Sequence, residues 1–340
     1  MLVQQVVIVA EAVDDVAAGV VADALAVAWR ATHPDDMVTT LAVSDGGPGL
    51  LDALARPEDT WLVTEVSGPL GHPVEAALLL RPDGTAVVEA ARAAAPACAP
   101  EGVATAMRAT THGVGELLDA AREAGARRIE VGVGGVAAVD GGAGALTGMG
   151  FRLRVADGSG LKIGGDDLHR VAAVEPGWSA EWSDVEVVVM TDTPRPLAEA
   201  AEGLPEEVRV DAGDREHLAA GLARWAEVAG RDLAAAPLAL RPGSGAGGGL
   251  AYGLAAGLGG ALRPAVDTVW ALQGGPATFD DGTLVVVAAR PDGAVHESVS
   301  ERTAASSVTV RTLPALAIEG DLDAFDDVVT AAARALHDLR

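Results

Sequence analysis

Glycine constrains this chain more than any other residue. The sequence contains 42 glycines, far more than helix interiors tolerate, and they gather in runs such as Gly134–Gly144 and Gly243–Gly249. Around them the chain is rich in Ala, Val and Leu: apolar residues make up 49%, yet aromatic residues only 3%. Short apolar stretches punctuated by glycine clusters read as buried strands joined to helices by tight turns, an α/β protein.

Periodicity supplies the order of elements. Val6–Val9 is a short β-branched run of the kind found in buried parallel strands. Val16–Arg30 follows, with Val20, Val21, Ala24, Leu25 and Ala28 at helical spacing. Met37–Val43 is a second strand running into Ser44-Asp45-Gly46-Gly47, and Leu50–Ala55 a further helix. The pattern then changes. Trp61–Ser67, Pro73–Leu80 and Thr85–Glu89 read as consecutive strands with turns at Gly68–Gly71 and Pro82–Gly84, an antiparallel element. Gly113–Ala124 is a helix, Ile129–Val133 a strand, and Phe151–Val155 and Val185–Met190 are strands. Arg215–Ala229 places Leu218, Leu222, Trp225 and Val228 on one helical face. Gly243–Gly249 opens a helix through Leu258, Leu284–Ala288 returns to a buried strand, and Asp321–Leu339 is a terminal helix with Asp321 as N-cap. Parallel α/β at both ends and a mixed middle imply a discontinuous domain with an insertion. The expected boundaries are residues 1–62 plus 278–340 for the first and 63–277 for the second.

Charge narrows the partners. The formal net charge is −25, spread along the chain, which argues against nucleic acid and against anionic membrane surfaces. Among the basic residues 23 are Arg and one, Lys162, is Lys. Cys98 is the only cysteine, so no intrachain disulfide and no cysteine-based zinc site is expected. The start lacks the basic segment of a signal peptide, and no apolar stretch is long enough to span a bilayer, so a cytoplasmic protein is expected. There is no GxxxxGK[ST] phosphate loop, and the seven histidines follow no metal-binding spacing.

Several stretches in order resemble the bacterial-type glycerate kinase family: LAVSDGGPGLLDAL (Leu41–Leu54), VSGPLGHPVEA (Val66–Ala76), ATTHGVGELL (Ala109–Leu118), GVGGVAAVDGGAG (Gly132–Gly144), Thr191–Leu197, and Gly243–Leu258 followed by Leu262-Arg263-Pro264. The resemblance runs from the N-terminus to about Leu272 and is weaker beyond. It implies a flavodoxin-like domain built from both chain ends with a large inserted mixed α/β domain. It also implies the transfer of the γ-phosphoryl of ATP to a glycerate hydroxyl with Mg²⁺.

Carried over residue by residue, the resemblance picks out Asp45, Asp192 and Arg290 as catalytic candidates, with Mg²⁺ on Asp45 and Asp192. Gly134, Gly135, Asp140, Gly141, Gly142, Gly243, Gly245, Gly247, Thr110 and Thr111 are candidates for binding the nucleotide or another small anion. For the glycine loops two readings stand side by side: backbone amides cradling an anion, or tight turns that only glycine permits. Each aspartate is likewise either a ligand or a turn and cap residue.

The same alignment shows patterned loss. The family's first-loop lysine falls on Asp14, next to Asp15, with Glu11 kept and the neighbouring hydroxyl replaced by Ala12. The Ser, Thr and Asn of the glycine-rich loop are Val136, Ala138 and Val139. Beside Asp45 the family Glu and Thr are Pro48 and Leu50, and beside Asp192 the acidic residue and Asn are Pro194 and Arg195. A lysine-bearing segment expected after Leu197 is absent, and only Arg290, Asp292 and Gly293 remain of the last motif. Phosphoryl transfer needs cations on the phosphate oxygens and carboxylates for the metal. Two expectations follow: a member that has lost catalysis and keeps the fold as an anion-binding or regulatory relative, or an active kinase of glycerate or a related hydroxy acid in which Arg290, Arg195 and Mg²⁺ replace the lysines.

Overall fold

In the computed structural model, residues 4–13, 16–99, 106–162, 164–177, 182–205, 207–208, 210–290, 293–304, 306–314 and 325–338 are described. The chain divides into two compact units, Met1–Asp45 with Asp52–Ala55 and Val266–Arg340, and Gly46–Leu51 with Arg56–Ala265. The division lies elsewhere than the sequence placed it. The strand Thr60–Ser67 pairs over its whole length with Pro73–Leu80, so it cannot be cut at residue 62. The helix that follows Pro264 leaves the second unit at residue 266.

The first unit is a parallel sheet. Its strands are β1 (Gln5–Ala10), β2 (Met37–Ala42) and, from the other end of the chain, Leu284–Ala289 and Thr309–Pro314. With the second unit's β3 (Thr60–Ser67), β4 (Pro73–Leu80), β5 (Thr85–Glu89), β6 (Arg128–Gly132), β7 (Arg152–Val155), β8 (Val171–Glu175), β9 (Glu186–Thr191) and β10 (Ala261–Pro264), they become β11 and β12. The first sheet runs β12-β11-β1-β2, with Val7 opposite Val285 on one side and Thr39 on the other. This is the flavodoxin-like arrangement expected of apolar runs at both termini, because only buried parallel strands read as continuous Val, Ile and Ala. The helices are α1 (Ala18–Thr32), α2 (Leu50–Leu54), α3 (Ala91–Ala94), α4 (His112–Glu123), α5 (Ala143–Gly148), α6 (Ala212–Asp232), α7 (Leu250–Leu258), α8 (Ala265–Leu272), α9 (Ala294–Thr303) and α10 (Phe325–Asp338). One core joins Val6, Ile8 and Val286 of the sheet to Val21 and Leu25 of α1 and Val328 and Ala332 of α10. The proposed cap Asp321 lies outside the described residues.

The second unit has a six-stranded sheet in the order β10-β9-β6-β5-β4-β3. It is parallel from β10 to β5 and antiparallel at β4 and β3, which is the mixed character read from consecutive strands. A hairpin, β7–β8, stands apart. Helix α6 starts earlier than its apolar face suggested, because Asp211 caps it by accepting from the Asp214 N–H at 2.8 Å. Among the described residues no helix is long and apolar enough to cross a membrane.

Candidate functional site

In the first unit, three functional side chains leave the same edge of the sheet. Glu11 follows β1, Arg290 follows β11, and Asp45 lies three residues beyond β2. Parallel register puts Ala10 beside both Ala42 and Ala288, so the chain exits all three strands together. The carboxyl edge of a parallel sheet is where ligands of such folds bind. Here the side chains meet each other. Arg290 Nη2 donates to Asp45 Oδ2 at 2.6 Å and to Glu11 Oε1 at 3.2 Å, and the Arg290 backbone N–H donates to Glu11 Oε2 at 3.3 Å. The Glu11 carboxylate raises the guanidinium pKa above its ordinary value, against partial burial, with Asp45 adding to it.

That geometry bears on the expected Mg²⁺. A divalent ion on Asp45 would have to displace a guanidinium already bound by two carboxylates. Among the described residues no three His, Cys, Asp or Glu side chains are grouped to hold a metal. Among the described residues of this edge, the place between the Glu11 and Asp45 carboxylates is taken by the chain's own cation. Asp14, Asp15 and Asp292 lie outside the described residues.

In the second unit, both glycine-rich segments are in one place. Gly134 follows β6 and Asp192 follows β9, and these are neighbouring parallel strands. A Cβ on Gly134 would stand 3.3 Å from the Asp192 Cβ. The two loops pack backbone to backbone: Gly141 N–H donates to the Gly248 carbonyl at 3.1 Å. A Cβ on Gly248 would overlap the Ala138 carbonyl oxygen, one on Gly249 would come within 2.8 Å of Gly141 Cα, and one on Gly247 would run into the Val133 carbonyl. Gly135 is closed by Pro48, Gly243 by Thr191, Gly245 by the Pro196 carbonyl and Gly142 by Gly253. Each of these glycines is accounted for by a protein neighbour. The two loops are packed tightly against the protein's own backbone and side chains. The amides of Gly134, Gly142 and Gly245 already donate to Gly46 O, Asp140 Oδ1 and Arg195 O.

The helix expected to open at Gly243 begins instead at Leu250. Gly243, Gly247, Gly248 and Gly249 all have positive φ, between 59° and 85°, a backbone that ends a right-handed helix rather than starts one.

Asp140, Thr110 and Thr111 are bonded to one another. Asp140 is 1% exposed and Thr111 fully buried. The carboxylate accepts from the backbone N–H groups of Thr111 at 2.8 Å, Gly142 at 3.0 Å and Gly144 at 3.2 Å. The hydroxyls of Thr110 and Thr111 donate to it at 3.2 and 3.0 Å. Burial pushes the carboxyl pKa up, and the donations from Thr111, Gly142 and Thr110 pull against that. These three residues tie the start of α4 to the start of α5. Nothing in the local sequence could show the link to α4, since Thr110 and Thr111 lie 30 and 29 positions from Asp140. Lys162 is exposed and 4.0 Å from Asp167. Arg195 is exposed and touches Thr193.

Against known proteins, the model of the Glycerate kinase family matches residues 6–332. A glycerate kinase of Bacillus subtilis (strain 168) is 31% identical over 273 residues, 78% of this chain and 71% of that protein. A glycerate 2-kinase of Escherichia coli (strain K12) is 30% identical over 280 residues, 80% and 73% of the two chains. A crystal structure described as a glycerate kinase 2 from Salmonella typhimurium LT2 superposes with a TM-score of 0.81 at 26% identity, covering 100% of this chain and 97% of its own.

Proposed function

The chain belongs to the glycerate kinase family, and we propose that it is a member that has lost phosphoryl transfer and acts in the cytoplasm as a binder of a small anion such as glycerate. The observation that carries this reading is the Glu11–Arg290–Asp45 triad. The family reaction spreads negative charge over a transferred phosphoryl group, and catalysis of that step consists of cations placed on its oxygens. At this sheet edge the Arg290 guanidinium is held between two carboxylates at 2.6 and 3.2 Å. These three side chains together carry a net negative charge. Asp14, aligned with the family's first-loop lysine, adds a carboxylate by sequence. Val136, Ala138 and Val139 are buried and supply apolar groups where the family pattern has hydrogen-bonding side chains.

The test is a coupled ADP-release assay with purified protein, excess Mg²⁺-ATP and D-glycerate. The reading expects no glycerate-dependent ADP release above the no-enzyme rate. Turnover in the ordinary kinase range, roughly 1–100 per second, abolished by Asp192→Ala, would instead establish an active kinase that uses arginine and Mg²⁺.

A further inference from the structure

At the opposite end of the first unit's sheet lies a cavity of about 410 Å³, within the range of small-molecule sites. Its walls come from the starts of the strands and the ends of two helices: Leu284 and Thr309 open β11 and β12, Trp29 and His33 end α1, and Leu336 and His337 end α10. It belongs wholly to the first unit and has no part in the Glu11–Arg290–Asp45 edge.

Three features set its chemistry. The first is Arg311. Side chains alternate along a strand, and Leu313, two residues on, is buried in the core beneath α10. Arg311 therefore points to the same face, where apolar residues stand in the neighbouring strands, and it lines the cavity. Among the described residues no hydrogen bond or ion pair engages its side chain, in a chain with 49 acidic and 24 basic residues. Arg311 is exposed at the rim of the cavity, and a guanidinium there without a carboxylate partner, in so acidic a protein, is placed to receive an anion from outside.

The second feature is a rigid planar wall. Trp29 stacks on His33 with ring centroids 4.7 Å apart and planes at 21°. The indole is fixed by donating from Nε1 to Asp36 Oδ2 at 3.1 Å, and His33 Nδ1 is 2.9 Å from the Thr32 hydroxyl. The wall is organised without any ligand. Leu284, Leu336 and Ala333 add apolar surface.

The third is the pair of helix ends. Both α1 and α10 finish at this cavity, and the carbonyl ends of helices disfavour added negative charge. One negative charge matched by Arg311 is acceptable there; the several charges of a nucleotide polyphosphate are not. We propose that this cavity is a second ligand site, for a small planar aromatic monocarboxylate that lies along Trp29 and His33 and pairs its carboxylate with Arg311.

The test uses 2-naphthoate as probe, with its neutral isostere 2-naphthalenemethanol, in titration calorimetry of the full chain. Saturable binding of one 2-naphthoate per chain is expected. Arg311→Gln should weaken it about tenfold or more and leave the alcohol's weaker binding unchanged. Ala333→Trp, which fills the cavity from an exposed helix position, should abolish both. Circular dichroism melts establish that each variant is folded, and Arg311→Gln alone decides should Ala333→Trp not fold. Absence of saturable binding to the wild type at millimolar probe, or binding that Arg311→Gln leaves unchanged, overturns the proposal. Neither result depends on whether the protein turns over ATP.

Discussion

Asp140→Ala should be among the most destabilising single substitutions in the second unit. The change removes the acceptor for three buried backbone N–H groups, those of Thr111, Gly142 and Gly144, and for two hydroxyls. Leaving a buried donor unsatisfied costs about 1–3 kcal/mol. Three such groups would sum to roughly 3–9 kcal/mol. The hydroxyls can turn to other acceptors, and the variant no longer buries a carboxylate, so the net loss should fall at about 3–5 kcal/mol. In a unit of about 200 residues, each kcal/mol lowers Tm by roughly 2–4 °C, giving a drop of about 10 °C. Thermal unfolding followed by near-ultraviolet circular dichroism measures this, because Trp225 packs on the same loop and donates to the Gly141 carbonyl at 2.9 Å. Amide hydrogen exchange at Gly142 and Gly144 should accelerate in parallel. A Tm within about 2 °C of the wild type, with exchange unchanged, would refute the structural assignment of Asp140 and return it to the ligand-binding candidates.

Other outcomes follow from the same structure. Arg290→Ala should keep the fold and expose the Glu11 and Asp45 carboxylates, so that Mn²⁺ binding, read by electron paramagnetic resonance, appears in the variant and not in the wild type; equal binding by both would show that the arginine does not hold the cation's place. Gly248→Ala puts a methyl group onto the Ala138 carbonyl at a φ of 60° and should cost about 3 kcal/mol or more in urea unfolding, whereas Gly158→Ala, with open space around it, should cost about 1 kcal/mol from its positive φ alone. The Asp232 carboxyl is held below its ordinary value by the Arg231 guanidinium, with the Val174 N–H adding to this. A depressed folded-state pKa stabilises the protein above the unfolded value and is lost as pH falls through the folded one, so Asp232→Asn should flatten the stability loss below about pH 4, measured by urea midpoints across that range.

What was legible in the sequence was whatever repeats over a few residues. The runs at Val6 and Leu284 announced paired parallel strands because burial on both faces leaves no room for polar alternation, and the four apolar positions of α6 announced its buried face. What was illegible depended on partners far apart in the chain. Glu11 and Arg290 are 279 positions apart, and a surviving Asp beside glycine reads the same whether it binds a ligand or, like Asp140, holds two helix starts together. The polar loop residues lost from the family pattern were visible, but what the remaining glycines touch was not: a glycine that admits a phosphate and one that admits a carbonyl leave the same letter. Strand β12, with Thr and Arg interleaved among its apolar residues, lacked the composition of a buried strand and escaped notice, although its Arg311 marks the second cavity.

The central claim is that no phosphoryl group reaches glycerate on this protein. It is tested most directly by following the phosphoryl group itself, with ³¹P nuclear magnetic resonance of Mg²⁺-ATP and D-glycerate incubated with protein at a concentration comparable to the substrates. The account predicts ATP resonances alone, with no phosphomonoester on glycerate after prolonged incubation. A phosphoglycerate signal that grows with protein concentration, and that disappears in Arg290→Ala, would contradict it.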